Sequence, residues 1–130
     1  MKRIVFFIII GLASITTFSQ NTAVLPTQSI SPDSNVVYRL FSTRNMYTFI
    51  KLDTRNGQMW QVQWDTESKS RFVTILSDIS LANKDEEKNG RFFIYPTTNI
   101  YNLILLDQID GRTWQVQWGS KEDRAVIRIY

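Results

Sequence analysis

Two stretches carry the fold of this chain: Leu52-Asp53-Thr54-Arg55-Asn56-Gly57-Gln58-Met59-Trp60-Gln61-Val62-Gln63-Trp64 and Leu106-Asp107-Gln108-Ile109-Asp110-Gly111-Arg112-Thr113-Trp114-Gln115-Val116-Gln117-Trp118. Each closes an apolar run on Asp, turns through Asn-Gly or Asp-Gly, and leaves the turn on the phrase Trp-Gln-Val-Gln-Trp. The two phrases hold all four tryptophans of the protein. Asn-Gly and Asp-Gly tolerate positive φ and are the strongest short hairpin signals, so each stretch predicts strand, turn, strand.

The repeat extends well beyond the phrase. Tyr38–Trp64 aligns with Phe92–Trp118 at an offset of 54 residues, with 12 of 27 positions identical: Thr43/Thr97, Asn45/Asn99, Tyr47/Tyr101, Ile50/Ile104, Leu52/Leu106, Asp53/Asp107, Gly57/Gly111 and the five-residue phrase. Two copies at a fixed period indicate a repeated supersecondary unit. Each copy reads as four short strands rich in β-branched and aromatic residues. In the first they are Val37–Ser42, Met46–Asp53, Gln58–Trp64 and Arg71–Leu76. In the second they are Arg91–Tyr95, Ile100–Asp107, Arg112–Trp118 and Arg124–Tyr130. Pro96 ends a strand because it cannot donate to a ladder. Ser77–Gly90 predicts a solvated connection with one helical turn over Ser80–Lys88. The expected fold is all-β: two tandem four-stranded antiparallel units with pseudo-twofold symmetry, forming a sandwich, a barrel or a blade-like pair.

Lys2 and Arg3, the apolar run Ile4–Leu12 and the small-x-small pattern Thr17-Phe18-Ser19 predict a secretory signal peptide over residues 1–19. Residues 20–35, rich in Ser, Thr, Asn and Pro, predict a flexible leader. Residues 36–130 form the single expected domain, made of repeats 36–77 and 91–130. Export places the mature chain in the periplasm or outside the cell, with no stable membrane insertion after cleavage. A membrane barrel is disfavoured, since its strands need about 9–11 residues and Arg128 interrupts the last strand.

The chain has 15 Lys and Arg against 12 Asp and Glu, and removing Lys2 and Arg3 leaves 13 against 12. Basic residues alternate with acidic ones and form no stripe for nucleic acid. With no cysteine, disulfides, thiol chemistry and a lipidated-cysteine anchor are all excluded.

Strand alternation places Trp60, Val62 and Trp64 on one face and Gln61 and Gln63 on the other. The second copy repeats this with Trp114, Val116 and Trp118 against Gln115 and Gln117. The expected arrangement packs the two tryptophan faces into the core and leaves the glutamines to water. The alternatives are an exposed aromatic platform and a polar groove lined by Gln61, Gln63, Gln115 and Gln117. Lys51 stands where the second copy has Leu105, so the two units differ in exposure. Apolar residues on both sides of Ile100–Leu106 predict a doubly covered strand. Asn45 and Asn99, in the Thr-x-Asn loops, complete the candidate ligand-binding set. Asp53 and Asp107 lack the dense spacing of a calcium loop, and predict carboxylates bonded to their own turns.

Without histidine or cysteine, the commonest general base and nucleophile are missing. No catalytic residue, metal ligand or cofactor is assigned. Loop carboxylates Asp65, Glu67, Glu122 and Asp123 keep a hydrolase as a minor alternative.

The repeat units Leu40–Trp64 and Ile94–Trp118 resemble tandem repeats in small exported proteins of Bacteroidota. That resemblance implies a bacterial host and export, and brings no activity with it. Leu52-Asp53-x-x-x-Gly57-x-x-Trp60 is also similar to the strand–turn–strand signature of quinoprotein-type propeller blades. Two blades fall short of the usual four to eight, so this likeness implies that a closed propeller would need oligomerisation. The expected function is a non-catalytic exported binding or interaction module, with a glycan or a protein as ligand. A periplasmic inhibitor or immunity protein against an exported toxin is the alternative.

Overall fold

The computed structural model describes residues 33–130. The expected signal peptide, and all but the last three residues of the expected leader, lie outside the described residues. Eight strands follow one another: β1 (Tyr38–Ser42), β2 (Thr48–Asp53), β3 (Met59–Gln63), β4 (Phe72–Ser77), β5 (Phe92–Pro96), β6 (Asn102–Asp107), β7 (Thr113–Gln117) and β8 (Ala125–Ile129). They make two antiparallel meanders, ordered β1-β2-β3-β4 and β5-β6-β7-β8. The protein is therefore all-β, built of two tandem four-stranded units. The predicted strands are all present, one or two residues shorter at most ends. Short 3-10 turns occupy Ser68–Ser70 and Lys84–Glu86, the second within the predicted helical turn.

The hairpins form where Asn-Gly and Asp-Gly predict them, but only the glycine of each pair takes positive φ, and Asn56 and Asp110 do not. Gly57 and Gly111 take φ of 81° and 80°, the left-handed region that only glycine enters cheaply. The Asp53 and Asp107 carboxylates accept bonds from the Arg55 amide at 3.0 Å and the Ile109 amide at 3.0 Å, which fixes each turn from inside.

Burial separates the two units. In the second, Phe92, Ile94, Leu103, Leu105, Trp114, Val116 and Trp118 are buried, and the glutamines lie on the opposite face. This is the expected orientation. In the first unit the phrase is reversed: Ile50, Leu52, Met59 and Gln61 are buried, Trp60 is half-buried and Trp64 is exposed. The units stack front to back. The glutamine face of the first lies on the tryptophan face of the second, and all the buried apolar residues join one cluster across the joint. The two tryptophan faces thus do not meet in the core, and the glutamines do not all face water.

Charge gives the reason. A meeting of the tryptophan faces would bury Lys51, which occupies the middle of the first unit's tryptophan face, and an uncompensated buried ammonium is costly. Front-to-back stacking leaves Lys51 half-buried outside, while its repeat-mate Leu105 is fully buried. The expectation that β6 is covered on both faces is corrected in the same way. Leu103 and Leu105 are buried against the first unit, but Ile104 and Leu106 are half-buried on the outer face.

A bulge adds to the joint. Met59 pairs with Ser77 and Trp60 with Ile75, so Leu76 is the extra residue of β4 and enters the core. The linker then crosses the first unit's hairpin. Leu81 donates its amide to the Asn56 carbonyl at 2.7 Å, and Phe92 donates to the Thr54 carbonyl at 2.8 Å. Leu81 and Phe92 close over Gly57, where a Cβ would meet Leu81 Cδ1 at 3.0 Å.

Candidate functional site

The residues singled out from sequence fall into three settings. Gln61 belongs to the joint. It is buried, and its Oε1 accepts a bond from the Gly119 amide of the second unit at 3.2 Å. Its repeat-mate Gln115 is half-buried on the outer face, where Nε2 donates to Asn102 Oδ1 at 2.7 Å. Gln63 is half-buried and reaches the Ser70 carbonyl at 3.4 Å, and Gln117 lies half-buried beside Trp118. The structure does not gather the four amides in one groove.

Asn45 and Asn99 organise their own turns. Asn45 Oδ1 accepts from the Tyr47 amide at 2.9 Å, and Asn99 Oδ1 from the Tyr101 amide at 2.9 Å. Thr43 and Thr97 brace the same turns by donating to the carbonyls of Thr48 and Asn102. Lys51 folds over the tryptophan face, with Nζ 4.6 Å from the Trp60 ring centre and 5.9 Å from that of Tyr38. That is cation–π range.

The turns braced by asparagine position a repeated aromatic pair. Tyr47 packs on Trp64 with ring centres 5.3 Å apart, and Tyr101 on Trp118 at 5.0 Å, both tilted by 49°. Each indole is anchored, Trp64 Nε1 to the Met46 carbonyl and Trp118 Nε1 to that of Ile100. Beside the second pair lies a pocket of about 460 Å³ lined by Tyr101, Gln117, Trp118, Gly119, Ser120 and Asp123. Ser120 Oγ donates to Asp123 Oδ2 at its rim.

The outer sheet faces were not legible as a site from sequence. On the first unit, Leu40, Lys51, Trp60 and Ile75 form one cross-strand row, and Phe49, Val62 and Val73 the next. On the second, Tyr95, Ile104, Gln115 and Ile127 stand in one row, and Leu106, Thr113 and Ile129 in another. Val73 is 58% exposed and Ile127 55%. An antiparallel sheet that faces water on one side is normally polar there. These two faces are mostly apolar, and contiguous exposed apolar area marks contact surfaces.

A buried ionic cluster lies at the far end of β6. Arg91 and Asp107, 6% and 0% exposed, pair at 2.9 Å, and Arg112 reaches the same carboxylate at 3.2 Å. Burial pushes the Asp107 carboxyl up. The bonds from Arg91 and from the Ile109 and Asp110 amides outweigh that effect and hold it at about 2. Arg91, hydrogen-bonded to Asp107, is raised above its ordinary value. In the first unit Val37 stands at the Arg91 position, and Asp53 pairs instead with the more exposed Arg55. Every buried side-chain polar atom among the described residues has a hydrogen-bond partner, so this cluster reads as structural.

Among the described residues no three acidic groups are placed to hold a metal ion, and no helix is long and apolar enough to cross a membrane. Comparison with family models, with characterised proteins and with solved structures returns no match.

Proposed function

We propose that the chain is a non-catalytic exported interaction module whose contact surfaces are its two outer sheet faces, with a protein as ligand. The observation that carries this reading is the apolar character of both faces in cross-strand register. A chain this small gains nothing in solution from holding Val73, Ile75, Ile127 and Ile129 partly in water. Local engagement of the loop carboxylates agrees with a binding role. Asp65 accepts from the Glu67 amide, and Asp123 from Ser120. Export rests on the Lys2–Ser19 segment, and N-terminal sequencing of protein recovered from a bacterial host tests it: a start near Gln20 supports cleavage, and a retained Met1 opposes it.

The test of the binding reading compares wild type with Val73→Arg and Ile127→Arg. Each variant places a charge on the edge strand of one face, β4 or β8, at a position exposed enough to leave folding intact. Protein contacts, including contacts between copies, are expected to fall at least tenfold in one variant or both. Contacts that survive both substitutions would end this reading. A glycan reading is favoured by one specific feature, the Tyr101–Trp118 pocket with Gln117 and Asp123 at its wall. It predicts polysaccharide binding that Tyr101→Ala abolishes and that Val73→Arg leaves unchanged.

A further inference from the structure

We infer that the occupant of each outer face is a second copy of this chain, stacked head to tail so that the joint inside the chain is repeated between chains. The inference rests on the proposal that these faces are contact surfaces, and the internal joint is its template.

Within the chain, the glutamine face of unit one covers the tryptophan face of unit two. The two faces left over are one of each kind: the tryptophan face of unit one and the glutamine face of unit two. Stacking the second unit of one copy on the first unit of another therefore brings together the same pair of faces already joined inside. Most apolar residues match at this second joint, although Thr113 stands where Met59 does. Ile104 and Leu106 stand at the positions of Ile50 and Leu52, and Tyr95 at that of Phe41. On the opposing side Trp60, Val62 and Leu40 stand at the positions of Trp114, Val116 and Ile94.

Three details of the internal joint have their counterparts waiting. Gly57 is roofed by Phe92, whereas a Cβ at Gly111 would meet nothing within 4 Å; Tyr38, the repeat-mate of Phe92, is 51% exposed. Arg124 holds the Gly119 carbonyl with Nε and extends NH1 to Thr74 and the Ile75 carbonyl of the first unit. Arg71 holds the equivalent Asp65 carbonyl with Nε, and is exposed. Gln61 accepts the Gly119 amide across the internal joint, and Gln115 occupies the same position on the open face.

An interface between unlike faces closes into a ring when its rotation allows. Blade-like sheets close at about four to eight, which corresponds to two to four copies of this chain. Among the described residues Lys51 is the one charge in the middle of either open face, and it makes this joint weaker than the internal one, where Leu105 stands.

The experiment measures the native mass of the full chain, produced in an exporting bacterial host, by light scattering over about 1–100 µM. Wild type is expected to form one closed species of two, three or four copies. Val73→Arg blocks the first unit's open face and Ile127→Arg the second's, so each alone is expected to be monomeric. Mixed one to one, they still hold one intact pair of faces, and are expected to give a heterodimer that stops there. Lys51→Leu is expected to lower the concentration of half-assembly at least tenfold. Circular dichroism confirms that each variant is folded. A monomeric wild type at 100 µM overturns the inference, whether another protein or the chain's own N-terminal segment covers the faces. Homodimers retained by either single variant, showing a twofold contact between like faces, overturn it as well. A monomer that binds a different protein through Val73 or Ile127 leaves the proposed function standing, and one that binds nothing removes both.

Discussion

Asp53 and Asp107 occupy the same place in the two repeats, and the structure predicts different losses on their removal. Asp107→Ala deletes the carboxylate that receives Arg91 Nε and NH2, Arg112 NH2 and the Ile109 amide. It strands the Arg91 guanidinium at 6% exposure, with the Glu86 carbonyl at 2.9 Å and Asp110 only at 3.5 Å. Removing one partner of a buried pair costs about 3–5 kcal/mol. Asp53→Ala removes a turn bond worth about 1 kcal/mol. It also removes a pair with Arg55, which is 37% exposed, and such pairs contribute about 0–1 kcal/mol. The expected losses are thus about 4 kcal/mol against about 1–2 kcal/mol. Urea unfolding followed by tryptophan fluorescence, at one fixed protein concentration, reads the difference. With slopes of about 1–3 kcal/mol/M, the midpoint for Asp107→Ala should fall by at least about 1 M. Adding Arg91→Met to Asp107→Ala should recover part of the loss by removing the stranded cation. Equal losses at the two aspartates, or no recovery in the double variant, would refute the claim that burial of the partner sets the cost.

The same carboxyl makes stability depend on acid. Its value is depressed from 3.8 to about 2, so its contribution of roughly 2 kcal/mol is complete above about pH 4 and is lost as pH falls through about 2; urea midpoints at pH 6 and 2.5 should show this step in wild type and not in Asp107→Ala. Gln61→Leu keeps the volume but leaves the Gly119 amide unpartnered at the joint, at an expected cost of about 1–3 kcal/mol, measured by the same unfolding curves; a neutral effect would remove Gln61 from the joint. Trp118→Ala should cost about 3–5 kcal/mol, as a buried aromatic does, and Trp64→Ala, at 43% exposure, clearly less.

The strands, the hairpins and the limits of the two repeats were legible because their signals are local. Asn56-Gly57 and Asp110-Gly111 set the turns, and alternation sets the strands between them. Which face turns inward was legible in the second unit and not in the first. Alternation ranks the tryptophan face above the glutamine face in both copies, and the residue that marks the first copy as different is Lys51, aligned with Leu105. Gln61 reads as a solvated side chain from its neighbours, and it is buried only because Gly119, 58 residues away, supplies a donor. Arg91 reads as a strand-opening surface charge until Asp107 is seen beside it. The candidate site was missed for the same reason as the orientation. Val62 belongs to the tryptophan face expected in the core, and with Phe49 and Val73 it forms a surface because the first unit stacks by its other side.

Front-to-back stacking of the two units is tested most directly by tryptophan accessibility. The measurement uses the Val73→Arg/Ile127→Arg background, in which neither outer face can be covered by another copy. Two proteins are compared by emission wavelength and acrylamide quenching, one carrying Trp60→Phe and Trp64→Phe, the other Trp114→Phe and Trp118→Phe. The first retains Trp114 and Trp118, at 5% and 6% exposure, and should emit to the blue and quench several-fold more weakly than the second. Equal quenching of the two proteins would mean that the tryptophan faces meet in the core, and would contradict the stacking described.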